Sequence, residues 1–326
     1  MHLIDSKSSD PYFNIAAEEF LLRHKKEDYF ALYINSPSII IGKNQNALSE
    51  INVEYIKKNK IPVVRRLSGG GAVYHSMGNL NFSFIIKDSK NNFMNFKKFT
   101  TPIIEVLKGL SINAENTGRN DLVIEGKKFS GNAQFKSKDR FLHHGTLLFS
   151  SNISEVSKSL NADTVKFEDK STKSVAARVT NITDYLKEKI TIEEFKELIF
   201  KQIIADNLEH HFYEFLAEDL DEINNLVKTK YETWDWNYGY FPKYNFKNKK
   251  KFPGGLVEIY LDVEDGIIKN SKIYGDFFSK LDVDDIEKAL KDIRHDENKI
   301  SGTLAKFNIH DYFLNITEDE ILGLFF

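Results

Sequence analysis

Residues 65–84 read RRLSGGGAVYHSMGNLNFSF and limit what this chain can fold into and bind more than any other segment does. Three consecutive glycines follow the short strand-like run PVV and stand between two arginines and a histidine. Glycines have no side chain to hold a ligand away, and their amides can turn towards it. Arg65 and Arg66 offer forked donors that suit a carboxylate or a phosphate. The segment therefore predicts a backbone loop that lies against an anion.

The glycine triplet differs from the two common nucleotide-binding motifs. A Walker loop needs Lys-Ser or Lys-Thr after its last glycine, whereas Ala72, Val73 and Tyr74 follow here, and the spacing does not fit GxGxxG. An isolated triplet could also be a glycine-rich turn within a β-protein. The flanking arginines favour the anion-binding interpretation.

A second informative segment, residues 120–134, predicts a β-hairpin. Leu122 and Ile124 fall on one face before Gly126, which supplies the bend, and a return strand follows. Lys128 lies on that return strand beside an apolar position. Such a lysine faces either solvent or a pocket that holds a negative charge, and the residues alone leave both open.

The adjacent His143 and His144 suggest a metal site at first sight. Neighbouring residues of a regular strand point to opposite faces, so both imidazoles cannot ligate one ion from a strand. The chain also has no cysteine. These two facts argue against metal binding through this pair.

Further patterns predict the surrounding elements. Asp10 can cap a helix with Pro11 at its first position, followed by one apolar face that packs on a sheet. Residues 80–86 alternate as a strand with one buried face, and residues 93–110 and 191–206 have helical patterns. Near the C-terminus, alternating apolar residues lead into Asp265-Gly266, a hairpin signal, and residues 281–293 are helical in pattern.

Seven segments together resemble the lipoate–protein ligase A family of the biotinyl and lipoyl ligase superfamily. Besides the glycine-rich segment they are SIIIGKNQN (38–46), GRNDLVIEGKKFSGNAQ (118–134), HHGTLLFSSN (143–152), SVAARVTNI (174–182), WDWNYG (234–239) and GGLVEIYLDVEDG (254–266). They occur in the family's order, so the resemblance covers essentially the whole chain.

The resemblance implies an enzyme that activates lipoate with ATP and Mg²⁺ to lipoyl-AMP, in lipoate salvage. The lipoyl group then passes to a lysine of an acceptor, either a lipoyl domain of a 2-oxoacid dehydrogenase E2 subunit or a glycine-cleavage H protein. A monomer is expected. The implied fold is α+β (mixed α/β), with a central, mostly antiparallel sheet flanked by helices and a smaller α+β C-terminal accessory domain.

The resemblance also implies roles for individual residues. Lys128 is the catalytic residue, which contacts both the lipoyl carboxyl and the phosphate of the adenylate, and Asp121 is the candidate protein ligand for Mg²⁺. The residues implied to bind ATP or the adenylate are Arg66, Gly71, Ala72, Val73, Tyr74, Asn120, Asp121, Lys128, Ser174, Val175 and Arg178. The residues implied to bind lipoate are Arg65, Ser68, Gly69, Gly70, Gly71, His75, Lys128, Gly131, Ala133, His144, Gly145 and Thr146.

Length and composition set the domain organisation. The chain has 326 residues, 41% of them hydrophobic, which is long for one compact domain. The sequence turns polar and glycine- or proline-punctuated over residues 237–253, so we expect a catalytic domain at 1–245 and an accessory domain at 246–326. The lysine run at residues 247–251 is interpreted as a solvated linker.

Charge and hydropathy exclude several partner classes. A formal charge of -3 argues against a general nucleic-acid binder, which is normally basic. No stretch approaches ~20 apolar residues and the N-terminus lacks a signal-peptide pattern, so we expect a cytoplasmic protein without a membrane partner.

Two other functions within the same fold are alternatives. An ATP-independent lipoyl or octanoyl transferase would pass its acyl group through a cysteine thioester, which a chain with no cysteine cannot form. A non-catalytic lipoate-binding protein would not be expected to keep Lys128, Arg66 and the glycine triplet. Lipoate-dependent exchange between ATP and pyrophosphate distinguishes the ligase from both.

Overall fold

The computed structural model describes residues 1–88, 92–117, 120–160, 178–206, 209–238 and 245–326. Two predicted site residues, Ser174 and Val175, lie outside the described residues.

The strands, in chain order, are β1 (His2–Asp5), β2 (Tyr29–Ile34), β3 (Ser38–Ile41), β4 (Val63–Arg65), β5 (Val73–His75), β6 (Asn79–Lys87), β7 (Ala114–Thr117), β8 (Asp121–Ile124), β9 (Lys127–Ser137), β10 (Arg140–Leu148), β11 (His211–Phe212), β12 (Phe246–Phe252), β13 (Gly255–Glu264) and β14 (Ile267–Gly275). The α-helices are α1 (Pro11–His24), α2 (Ala47–Glu50), α3 (Val53–Asn59), α4 (Phe96–Gly109), α5 (Ile153–Ser159), α6 (Ile192–Asp206), α7 (Ala217–Leu226), α8 (Trp234–Asn237), α9 (Asp284–Leu290), α10 (Glu297–Leu304), α11 (Ile309–Tyr312) and α12 (Glu318–Leu322).

A mixed sheet forms the centre of the N-terminal body. Over the described residues it has eight strands in the order β11-β1-β2-β6-β10-β9-β8-β7. The two pairings that involve β1 are parallel and the other five are antiparallel, which confirms the predicted mixed, mostly antiparallel architecture. Strand β6 lies in the middle and is buried on both faces, not on one as expected, because helices cover both sides of the sheet there.

Helix α1 begins as predicted. The Asp10 side chain accepts a hydrogen bond from the Tyr12 amide at 2.8 Å, and Pro11 occupies the first position. The expectation of a single buried face was too narrow, because residues 14–22 are all buried. The sheet covers one side of the helix, while α7 and the π-helical turn Val227–Tyr231 cover another.

A small sheet of three strands, ordered β4-β3-β5, carries the glycine-rich segment. Strand β4 runs parallel to β3 and β5 runs antiparallel to it, so the glycine loop connects the two outer strands across the end of the sheet. Residues 66–72 form this connection, which is called the glycine loop below.

The C-terminal unit comprises the antiparallel sheet β12-β13-β14 and helices α9 to α12. Its hairpin turns at Asp265-Gly266, with φ of 50° and 76°, as predicted. The helix predicted over residues 281–293 is shorter, Asp284–Leu290. Its apolar core includes Ile259, Phe313 and Leu324.

The lysine run at residues 247–251 was wrongly interpreted as a linker. These residues form most of β12 and pair with β13 in register. The physical reason is that β12 is an edge strand, where outward-facing lysines are common because they discourage pairing with other chains. The apolar Phe246 and Phe252 at its ends contact the core.

The C-terminal unit contacts the N-terminal body close to the glycine loop. The Gly275 amide donates to the Asn44 carbonyl at 2.6 Å, and Lys43 forms an ion pair with Asp282. The ring of Phe278 packs against Phe96. In the parts of the chain that the structure describes, no helix has the length and apolar character needed to span a membrane.

Candidate active site

Two cavities adjoin at strand β9. The narrow cavity has a volume of about 120 Å³ and lies between α1, the glycine loop and the large sheet, and the wide cavity has about 620 Å³ and opens towards β8 and α5. The residues that line both are Gly71, Ala72, Val73, Lys128, Gly131 and Thr146. Lys128 therefore lies where the two cavities meet.

Most of the predicted site residues that the structure describes line one or both cavities. Those on the narrow cavity alone are Arg66, Gly70, His75, Asn120, Ala133, His144 and Gly145. Those on the wide cavity alone are Tyr74, Asp121 and Arg178. Arg65, Ser68 and Gly69 line neither of the two.

Arg65 faces away from both cavities because it alternates with Arg66 at the end of β4. Its guanidinium donates to five backbone carbonyls at 2.7–2.9 Å, those of Gly42, Lys43, Gln45, Trp236 and Asn237. Arg65 thus ties the small sheet to helix α8 instead of presenting a free fork to an anion.

A β-bulge in β9 aims Lys128 into the site. Val123 pairs with Lys128 but Leu122 pairs with Ser130, so β9 has one extra residue, Phe129. Phe129 enters the core, and the bulge places the Lys128 side chain on the same side as Gly131. Bulges often re-aim side chains next to active sites, which is what this one does.

The head group of Lys128 is held in place from two directions. Its Nζ lies 2.7 Å from Asp121 Oδ1 on the paired strand. A β-carbon on Gly131 would come within 3.1 Å of Nζ, so only glycine leaves full room for this placement. The neighbouring Lys127 is exposed.

The three glycines of the triplet meet different surroundings. A β-carbon on Gly69 would lie 2.5 Å from the Phe277 carbonyl oxygen, so this glycine permits close approach of the C-terminal unit. Gly70 has a φ of 89°, which side chains oppose. Gly71 borders both cavities, and no heavy atom of the described residues lies within 4 Å of the place that a β-carbon on Gly71 would take.

The inner end of the narrow cavity carries buried polar groups. Asn35 Nδ2 lies 3.0 Å from His75 Nδ1, while His75 Nε2 has no partner among the described residues. Burial, together with the nearby charge of Arg66, lowers the pKa of His75 to about 3. The imidazole is therefore neutral at physiological pH. Burial also lowers the pKa of Arg66, to about 10. This value is still above physiological pH, so the guanidinium remains charged.

The two adjacent histidines face opposite ways, as their strand requires. His144 borders the narrow cavity, whereas His143 is fully buried among the rings of Phe82, Phe96 and Phe99. No group of three or more His, Asp or Glu side chains in the described part of the chain is placed to hold a metal ion.

Several lining residues were not anticipated from the sequence. Tyr33, Asn81 and Asn132 border the narrow cavity. Asn132 Oδ1 is buried and has no hydrogen-bond partner among the described residues, so it is available to a ligand. For Asn81 a signal was present, because it stands between Leu80 and Phe82 in a strand-like segment. Asn132 has no such signal, because the segment around it is mostly polar.

The chain matches two protein families. Residues 10–204 match the lipoyl protein ligase A/B catalytic domain, and residues 241–325 match the bacterial lipoate protein ligase C-terminus. It is 45% identical over 331 residues to lipoate-protein ligase LplJ of Bacillus subtilis, with all of both chains covered. It is 47% identical over 318 residues to lipoate–protein ligase 1 of Staphylococcus aureus, covering 97% of each.

Solved structures give the same result. P. falciparum LipL1 in complex with lipoate matches with a TM-score of 0.76 and 31% identity, covering 94% of each chain. A bi-partite lipoate protein ligase of Thermoplasma acidophilum, described with its E2 lipoyl domain, has a TM-score of 0.64 and 29% identity over 75% of this chain and 98% of that one. Lipoate-protein ligase A bound with ATP has a TM-score of 0.63 and 25% identity over 74% and 99%.

Proposed function

The chain belongs to the lipoate–protein ligase family, and we propose that it joins lipoate to ATP to form lipoyl-AMP and then lipoylates a lysine of an acceptor protein. Relatives that share 45% and 47% of its residues over nearly full length are lipoate–protein ligases. In the first step a carboxylate oxygen of lipoate attacks the α-phosphorus of ATP, and pyrophosphate leaves. In the second, the acceptor amine attacks the acyl carbon, releases AMP and loses a proton to solvent.

The observation that carries the proposal is the position of Lys128 on the wall shared by the two cavities. The narrow cavity suits an acyl chain, and the wide one suits a nucleotide. Two anions must meet between them. A fixed cation at that point lowers their mutual repulsion and offsets the charge that develops on the α-phosphate in the transition state.

The remaining site residues are assigned by where they lie. On the narrow cavity, Gly70, His75, Ala133, His144 and Gly145 would contact the lipoyl chain. On the wide cavity, Tyr74, Asp121 and Arg178 would contact the nucleotide. Arg65, Ser68 and Gly69 would act indirectly, by holding the glycine loop and its neighbours.

Mg²⁺ would enter with ATP. Asp121 and Asp276 both line the wide cavity, and Mg²⁺ in nucleotide sites prefers one or two carboxylates together with phosphate oxygens. The donors present therefore fit such an ion, with Asp121 as the candidate ligand. When bound, Mg²⁺ supplies positive charge that offsets the phosphate oxygens.

We further propose that the acceptor is an E2 lipoyl domain or a glycine-cleavage H protein, in keeping with the E2 lipoyl domain named with the T. acidophilum ligase. We also propose that the protein acts as a monomer. Separate apolar cores support a catalytic domain at 1–245 and an accessory domain at 246–326. Because the reaction consumes ATP, we place it in the cytoplasm.

Exchange of labelled pyrophosphate into ATP tests the adenylation step directly. We expect exchange that requires lipoate and occurs without any acceptor. A transferase that does not use ATP, or a protein that only binds lipoate, would give no exchange above the lipoate-free control. Subsequent addition of a purified lipoyl domain should release AMP and give a lipoylated lysine, detected by mass.

A further inference from the structure

A chain of buried hydrogen bonds begins at Glu18 on helix α1. Glu18 Oε1 accepts from the Tyr33 hydroxyl at 2.9 Å, and Glu18 Oε2 lies 2.8 Å from His144 Nδ1. The other ring nitrogen, His144 Nε2, lies 2.6 Å from Ser68 Oγ. Helix α1 and strand β10 are thereby connected to the start of the glycine loop.

The chain continues from Ser68 through Arg66 into the glycine loop. Arg66 Nε donates to Ser68 Oγ at 3.0 Å. Arg66 Nη2 then donates to the carbonyl oxygens of Gly69 and Gly71, at 2.7 and 2.8 Å. The position of the loop, including the glycine that borders both cavities, therefore depends on where Arg66 is held.

The donor and acceptor capacities of these side chains assign a direction to each hydrogen bond between Arg66 and Glu18. Arg66 can only donate, so Ser68 Oγ accepts from it. The Ser68 hydroxyl proton is buried, and within the described residues His144 Nε2 is the acceptor in reach, so the proton goes to Nε2, which is unprotonated. The remaining imidazole proton is on Nδ1 and is donated to the Glu18 carboxylate. Glu18 thus selects the tautomer of His144 that allows Ser68 and Arg66 to be satisfied together.

Burial makes this chain strong and excludes a nucleophilic role for its serine. Glu18, Ser68, Arg66 and His144 are each at most 7% exposed, so water does not screen the interactions between them. An order of acid, histidine and serine also occurs in hydrolases. Ser68, however, is 0% exposed and lines neither cavity, so its hydroxyl does not reach a substrate.

We propose that Glu18 is a positioning residue for both substrates. Its carboxylate fixes the tautomer of His144 and, through Ser68 and Arg66, the conformation of the glycine loop against which the acyl chain and the nucleotide bind. Glu18 also supplies the negative charge that balances the buried Arg66, since no carboxylate within the described residues contacts that guanidinium directly. This inference rests on the proposed ligase function.

The test is Glu18→Gln, with Glu19→Gln as the matched control. Glu19 is the next residue and similarly buried, but it contacts Lys230 and Tyr231 and has no bond to the chain that leads to the glycine loop. Loss of a hydrogen bond to a charged group predicts that Glu18→Gln raises KM for lipoate and for ATP about tenfold each, with kcat changed less than threefold. Glu19→Gln should lower the melting temperature and leave both KM values unchanged.

Nitrogen NMR of ¹⁵N-histidine-labelled protein supplies a readout that does not depend on turnover. In the parent protein His144, assigned with a His144→Gln variant, should be protonated at Nδ1 only, and Glu18→Gln should remove that preference. Protonation at Nε2 in the parent, or KM values for Glu18→Gln no higher than for Glu19→Gln, would overturn the inference. If the parent shows no lipoate-dependent exchange, the proposed function fails, while the NMR result still decides the hydrogen-bond chain.

Discussion

Lys128 Nζ lies 2.7 Å from Asp121 Oδ1, across the two strands of the β8–β9 hairpin and where the two cavities meet. The ion pair is more than a third exposed on both sides, so it contributes little to stability. Its consequence is geometric, because it holds the ammonium group where a carboxylate and a phosphate would meet.

Lys128→Ala should lower the rate of adenylation by about 10²–10³-fold or more while the fold is retained, since one preorganised electrostatic contact is lost. Pyrophosphate exchange measures this rate, and circular dichroism checks the fold. Lys127→Ala is the matched control, because Lys127 is exposed beside it. Adenylation by the Lys128 variant within about threefold of the parent would show that the assignment is wrong.

Gly131→Ala should affect the same step more weakly. The new methyl group would come within 3.1 Å of Lys128 Cε and Nζ, so the flexible lysine end must shift by a few tenths of an ångström. We expect kcat for adenylation to fall about tenfold, in line with the sensitivity of oriented charge contacts to small displacements. Gly302→Ala, in a helix of the C-terminal unit with open space around it, should leave the rate unchanged.

Valine at two glycines of the triplet should have different effects. Gly71→Val adds a side chain into the space shared by the cavities, so calorimetry should show weaker binding of lipoate and ATP with little change in melting temperature. Gly69→Val collides with the Phe277 carbonyl and should instead lower the melting temperature. Normal binding of both substrates by the Gly71 variant would show that the glycine triplet forms a turn and does not contact the substrates.

The buried histidines predict a loss of stability in mild acid. Burial holds the pKa of His143 well below its ordinary value. Below about pH 6.5 the imidazole is protonated in the unfolded chain but stays neutral in the folded chain. The stability that neutral His143 contributes is therefore present above that pH and is lost as the pH falls. Each such histidine adds a slope of about 1.4 kcal/mol per pH unit below pH 6.5.

Urea unfolding of the parent and of His143→Phe, at pH 7.5, 6.5 and 5.5, measures this slope. The difference between the two proteins isolates His143 from other titrating groups, and the slope should be smaller in the variant. His310→Ala, which removes an exposed histidine, serves as the control for the loss of an imidazole elsewhere in the chain. Equal slopes in the parent and the His143 variant would contradict the prediction.

Phe278 should matter for substrate affinity although it belongs to the C-terminal unit. Its ring is 1% exposed and forms a small cluster with Phe96 and Ala133, and Ala133 borders the narrow cavity. Phe278→Ala should cost about 3–5 kcal/mol of unfolding free energy and raise KM for lipoate. Phe313→Ala, in the core of the same unit, should cost as much stability without changing KM.

Local patterns were sufficient to predict the elements that carry the site. The hairpin around Gly126, the cap at Asp10 and the position of Lys128 on a return strand depend on neighbours in sequence, so they could be found without the fold. The bulge at Phe129 could not, because it is set by which residue of β8 pairs with which residue of β9.

Contacts between distant segments account for what the sequence did not reveal. Glu18 reads as a polar residue on the outer face of an amphipathic helix, and it becomes a buried site residue because that part of α1 packs against Tyr33 of β2 and His144 of β10. Arg65 is a second case. The resemblance implies that it binds lipoate, but its guanidinium donates to the carbonyls of Trp236 and Asn237, which no motif connects to it.

The bond between Arg65 and helix α8 limits where this chain can be divided into two separately produced pieces. Asn237 accepts from the Arg65 amide through Oδ1 and from its guanidinium through the backbone, and the Trp236 indole donates back to the Arg65 carbonyl. A first piece that stopped short of Trp236 would leave a buried guanidinium with unmatched donors beside the glycine loop. A functional first piece must therefore extend at least through Asn237, so that it keeps the hydrogen bonds that hold the end of β4 to helix α8.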